Sequence, residues 1–160
     1  MKINFAKYHA LRNDFLVIEG TKSALSRARL GRTAQQLCDR RAGIGADGIL
    51  YVSTQKRQGR TPDATRSGSV RQVDVYNADG SWAEKSGNGL RIVGLHEFMK
   101  DKRRKRSGFE MGGVVSEVRV LKKVGGGYMV ATDLGKPEFR SELVPDRKST
   151  RLNSSHGKLS

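Results

Sequence analysis

Between Leu90 and Met99 the chain sets Leu90, Ile92, Val93, Leu95, Phe98 and Met99 around most of a helical circumference. A helix that is apolar on nearly every side has no face to give to water, so other elements must enclose it. The flanking sequence supplies strands. Lys2–Tyr8, Phe15–Glu19, Ile49–Val52, Gln72–Tyr76, Val114–Val124 and Tyr128–Thr132 are short runs with β-branched or aromatic residues, bounded by Asn, Asp and Gly. A basic stretch of helical character follows the second run, and Thr33 reads as the N-cap of a helix over Ala34–Asp39. Residues 54–70 are polar and basic, as in an exposed loop. Short strands with tight turns about one central helix predict an α+β architecture, not βαβ repeats: a small curved, mostly antiparallel sheet or barrel wrapped around that helix.

Hydrophobic residues make up 36% of the 160, enough for a modest core. No apolar run approaches the roughly 20 residues that span a bilayer. The opening Met1-Lys2-Ile3-Asn4-Phe5 has no signal-peptide core, so a cytoplasmic protein with no membrane partner is expected. Cys38 is the single cysteine, which excludes an internal disulfide and a thiolate zinc cluster. Within a helix it reads as a small buried hydrophobe. His9 and His96 have no partners at ligand spacing, so no metal is assigned. The net charge of +15 raises nucleic-acid binding. However, the one dense block, Lys100 to Arg106, follows the apolar helix, where cations offset the negative end of its dipole. No aromatic residues interleave with it to stack bases. A basic nucleic-acid module is therefore the remote alternative.

Residues 146–156 (Asp-Arg-Lys-Ser-Thr-Arg-Leu-Asn-Ser-Ser-His) show no apolar periodicity. They agree, codon for codon, with one frame of a widely used sequencing adapter. The expectation is a non-native tail over 146–160 on a truncated reading frame, which an intact longer gene containing these codons would refute. That tail carries four Lys/Arg and one Asp, so three of the fifteen net charges belong to it. Segments of this kind stay outside fold reasoning.

The most informative stretch for chemistry is Tyr76-Asn77-Ala78-Asp79-Gly80-Ser81-Trp82-Ala83-Glu84-Lys85-Ser86-Gly87-Asn88-Gly89-Leu90-Arg91. It places turn-type segments directly before the apolar helix. Unpaired backbone N–H groups at a helix N-terminus, with its partial positive charge, suit a carboxylate or phosphate. Gly43-Ile44-Gly45-Ala46-Asp47-Gly48 has neither Rossmann nor P-loop spacing and by itself reads as a turn. Asn13-Asp14 and Asn77-Ala78-Asp79-Gly80 also pass as turns in isolation.

In order and approximate spacing, His9–Phe15, Leu37–Gly48 and Asn77–Arg91 resemble the diaminopimelate epimerase family. Asp133–Phe139, with Leu143-Val144-Pro145, resembles that family's entry into a second domain. The resemblance implies a cofactor-independent isomerase of two pseudo-symmetric domains, with the substrate in the cleft between them and one cysteine from each facing the α-carbon. This chain would supply the first domain over 1–122 and the start of the second over 123–145. Asn13 and Asn77 would bind the substrate through their side chains. Gly87 and Asn88 would offer backbone N–H groups to its carboxylate. The partners implied are a small amino-acid substrate and, for the full-length protein, a second copy.

Two departures follow. Ser86 stands where the family carries its first catalytic cysteine, and a hydroxyl ionises far less readily than a thiol. The opposing cysteine lies outside this sequence, and Cys38 belongs to a different motif. The chain alone is therefore expected not to epimerise diaminopimelate. A related racemase, or a dehydratase or isomerase of the same fold using serine, is the alternative reading. With no chemistry at all, Ser86 would be a plain N-cap.

Overall fold

A computed structural model describes residues 3–21, 26–57 and 70–135. Most of the stretch expected as a loop over 54–70, the residues after 135 and the adapter-like tail lie outside the described residues. In chain order the elements are β1 (Phe5–Ala10), β2 (Asn13–Gly20), α1 (Arg27–Cys38), β3 (Gly48–Arg57), β4 (Val70–Asn77), β5 (Trp82–Ala83), α2 (Gly87–Lys100), β6 (Arg106–Met111), β7 (Val114–Val124) and β8 (Gly127–Thr132). The strands join in the order β1-β2-β3-β4-β6-β7-β8, with β5 on the remaining part of β4. The pairs β2–β3 and β4–β6 are parallel and the others antiparallel. The sheet curls into a half-barrel, as expected of an α+β domain with a central helix.

Helix α2 lies in the hollow and α1 packs on the outer face. Phe15 and Val17 of β2, Leu50 and Val52 of β3, and Val73 and Val75 of β4 meet Leu90, Ile92 and Val93 of α2. The alternate residues Leu16, Ile18, Ile49 and Tyr51 meet Leu30, Ala34 and Cys38 of α1. Strands covered on both faces need no polar alternation, which accounts for the unbroken Phe15-Leu16-Val17-Ile18 run. Gly94 brings α2 close to β7, because a Cβ there would fall 2.2 Å from Val118 Cγ1.

The sequence-based boundaries shift at several points. Helix α1 starts at Arg27, not after Thr33, with Ser26 as N-cap accepting from Arg29 N–H at 3.3 Å. Thr33 is mid-helix and its hydroxyl bonds back to Arg29 O at 2.8 Å. The buried stripe Leu30, Ala34, Cys38 at four-residue spacing sets this longer helix. Strand β1 lies at Phe5–Ala10, later than Lys2–Tyr8. Strand β6, at the end of the basic block, had no counterpart in the sequence reading. Strands β7 and β8 pair with each other, so the sheet that begins at β1 is continuous to Thr132.

Candidate functional site

The N-terminus of α2 is built from short polar segments. Ser86 is the N-cap, extended at φ −146° and ψ 112°, and its Oγ accepts from Gly89 N–H at 2.9 Å. Its carbonyl accepts from Leu90 N–H at 2.9 Å. The N–H groups of Gly87 and Asn88 have no acceptor among the described residues. No acidic side chain occupies the first turn, so nothing there offsets the positive end of the helix dipole. Leu134 lies beside Gly87, where a Cβ would meet it at 3.4 Å.

Asn13 reaches this point from β2. Asn88 Nδ2 donates to Asn13 Oδ1 at 3.3 Å, and Arg91 Nη1 donates to Asn88 Oδ1 at 2.9 Å. Asn13 Nδ2 donates to Asp47 Oδ2 at 2.8 Å. Asn13 also ends a two-residue turn in which Leu11 and Arg12 hold φ of 53° and 70°. That conformation suits Asn-Gly far better than Leu-Arg, and such strain gathers at sites that need a fixed geometry. Behind Asn13, Arg40 Nη2 donates to Asp14 Oδ1 at 2.7 Å and to Asp47 Oδ1 at 2.9 Å. The Arg40 guanidinium, with Lys7 behind it, holds the Asp14 carboxyl far below the usual carboxylate range.

Asn77 closes β4 at the same end of the sheet, paired in register with Gly48. Its Nδ2 donates to Ser81 Oγ at 2.9 Å, inside the turn to β5. The next residue, Ala78, donates its N–H to Asp47 O at 2.9 Å. The fold thus joins Asn13 and Asn88 directly and brings Asn77 to their end of the sheet, with its side chain spent on its own turn. A groove of ≈ 610 Å³ between β1 and β8 begins at Arg91 and runs past Leu95 and Met99.

Sequence reasoning passed over Asp47, Arg40 and Arg91. Arg91 had a usable signal, since three-residue spacing puts it on the helix face of Asn88. Asp47 had only its place in a glycine-rich loop. Cys38 is 2% exposed, and burial, aided by the negative charge of Asp14, pushes its thiol up to about 11. It is a core residue here.

At the far end of α2, Arg71 donates to Glu97, to Glu19 at 3.0 Å and to Ser53 O at 3.1 Å. Lys100 donates to both Glu19 oxygens at 2.8 Å. Glu19, His96 and Glu97 converge, but the two carboxylates already face Arg71, Lys100 and Arg104. This set reads as an ion-pair network. Other cations of the basic block are also paired, Arg103 with Asp101 and Arg106 with Glu117.

The profile of the family "Diaminopimelate epimerase" matches residues 5–139. The chain belongs to the diaminopimelate epimerase family. Among similar proteins, the diaminopimelate epimerase of Leptospira biflexa is 35% identical over 150 residues, covering 91% of this chain and 48% of that protein. The diaminopimelate epimerase of Corynebacterium glutamicum is 38% identical over 144 residues, covering 86% and 48%. That of Synechocystis is 33% identical over 153 residues, covering 91% and 47%. The chain thus spans about half the length of the curated relatives it matches. The diaminopimelate epimerase match holds every residue of the site and stops short of 146–160. No helix among the described residues is long and apolar enough to cross a membrane.

Proposed function

We propose that this chain is the first domain of a cofactor-independent, cytoplasmic diaminopimelate epimerase, which interconverts the LL and meso forms of diaminopimelate for lysine synthesis. The observation that carries the reading is the pair of N–H groups at Gly87 and Asn88 that have no acceptor among the described residues, on a helix whose first turn holds no acidic residue. A substrate α-carboxylate placed there receives two donors and the dipole. The same donors would stabilise the carbanion-like charge that develops when the α-proton leaves. Asn88 is bonded to Asn13, whose side chain extends the polar surface, and Asn77 borders it. Ser86 takes the position facing the α-carbon. Its Oγ accepts from Gly89 N–H, and a neutral hydroxyl is too weak a base to take an α-proton, so its chemistry here is to donate its own proton.

The second catalytic group would come from the other domain, expected from residue 123; because β7 and β8 continue the first sheet to Thr132, we propose a start after β8 instead, and residues 146–160 remain outside the family match. The serine also favours a second reading, a racemase or dehydratase of the same fold. Solvent deuterium entering the α-position of product marks a racemase, whereas loss of a β-hydroxyl marks a dehydratase.

Titration of residues 1–160 with meso-diaminopimelate, followed by NMR, tests the main proposal. Shifts centred on the Gly87 and Asn88 amides are expected, with no α-proton exchange into deuterated solvent. Shifts confined to the basic block, or α-proton exchange by this chain alone, would overturn it.

A further inference from the structure

A primary amide accepts through its oxygen and donates through its nitrogen, so its direction must be set by its surroundings. Asn88 and Asn13 are joined end to end, Nδ2 to Oδ1 at 3.3 Å. Two linked amides do not by themselves decide which way the run points. The outer partners do. At one end Asn13 Nδ2 meets Asp47 Oδ2 at 2.8 Å, and a carboxylate only accepts. At the other, Arg91 Nη1 meets Asn88 Oδ1 at 2.9 Å, and a guanidinium only donates. Reversing Asn13 would press oxygen against carboxylate oxygen, and reversing Asn88 would press NH₂ against guanidinium.

We propose that Asp47 and Arg91 are positioning residues: from opposite ends of one hydrogen-bonded run they set the direction of both amides and so choose which polar groups meet the substrate. This rests on the site reading given above. Both anchors are themselves held. Asp47 Oδ2 also accepts from Asp14 N–H at 3.0 Å, and Asp47 Oδ1 accepts from Arg40 at 2.9 Å. Arg91 is three residues beyond Asn88 on the same helix. The run therefore ties the first turn of α2 to β2 and to the loop entering β3.

A definite ligand chemistry follows. With the directions set, each amide keeps one hydrogen and one lone pair outside the run, and those where the two amides meet are the lone pair of Asn13 Oδ1 and the hydrogen of Asn88 Nδ2. The acceptor suits an ammonium. The extra donor sits beside the N–H groups of Gly87 and Asn88 and suits a carboxylate. An α-amino acid carries both charges on one carbon and can use the two groups at once. The fixed acceptor and donor side by side thus suit a ligand that brings an ammonium and a carboxylate together.

The test uses ¹⁵N-labelled residues 1–160 and the side-chain NH₂ signals of Asn13 and Asn88, with and without meso-diaminopimelate. Asp47→Asn removes the accept-only anchor, Arg91→Met removes the donate-only anchor and Arg91→Lys keeps a donor. Asp47→Asn is expected to move the distant Asn88 signals as well as those of Asn13, and Arg91→Met to move Asn13 as well as Asn88. Each should weaken diaminopimelate binding about tenfold, the size of one well-placed hydrogen bond. Arg91→Lys should recover most of both effects, which a loss of packing alone would not allow. Distant signals that stay in place in both variants overturn the inference. If they move while the unaltered chain binds no diaminopimelate, the positioning stands and the epimerase reading falls. If the unaltered chain binds and they do not move, the reverse holds. Should Asp47→Asn fail to fold, the Arg91→Met and Arg91→Lys pair decides alone.

Discussion

At its C-terminal end α2 runs into a knot of opposite charges, whereas at its N-terminal end it meets none. Glu97, Lys100 and Arg104 are tied to Glu19 and Arg71 across the sheet, each charge answered by another. At the other end Gly87 and Asn88 keep N–H donors with no acceptor among the described residues, and the side chains nearby are the Asn13 and Asn88 amides, the Ser86 hydroxyl and the Arg91 guanidinium, with no acidic residue in the first turn. The same helix dipole acts at both ends. One end is neutralised by the protein and the other is left for something else. The open end is the one at which we propose that the substrate carboxylate binds.

The sharpest way to break that comparison is at the closed end. Arg71→Met strips the buried Glu97 of its nearest partner and should cost about 3–5 kcal/mol in urea unfolding. A cost below about 1 kcal/mol would mean that the knot does not hold the helix. At the open end Ser86→Ala removes the cap and should cost about 1 kcal/mol. The diaminopimelate-induced shifts at Gly87 and Asn88 should persist in that variant, because those donors belong to the backbone. Their loss would make the hydroxyl part of the anion site.

The smallest effect is a pH dependence from His96. Burial holds its pKa below the usual value, and its Nε2 has no hydrogen-bond partner among the described residues. As pH falls through about 6.5 the unfolded chain takes up this proton before the folded one does. Stability is therefore full above that value and falls as the pH approaches the folded-state pKa. Thermal unfolding between about pH 7 and 5 should show the decline, and His96→Gln should flatten it.

The open end was legible in the sequence and the closed end was not, for a physical reason. Gly87, Asn88 and Ser86 lie together in the chain, and capping is a local matter that adjacent residues announce. The helix was equally plain, because its apolar residues leave it nowhere to sit but inside. The knot unites Glu19, Arg71 and Glu97 from three elements, and nothing local to Glu97 shows that an arginine on β4 will reach it. Strand β6 was hidden likewise: Arg106 completes a basic run, and only pairing with β7 reveals a strand. The Asp47–Asn13–Asn88–Arg91 run falls between these cases, since its i,i+3 half can be read from spacing and its half across β2 and the β3 loop cannot.

Cys38 has a practical consequence. The only thiol of the chain closes α1 and lies sealed between that helix and the sheet, and its burial suppresses the thiolate that alkylating reagents attack. Its labelling rate thus becomes an internal clock for how often the outer layer lifts from the sheet, with no engineered probe to disturb what is being timed.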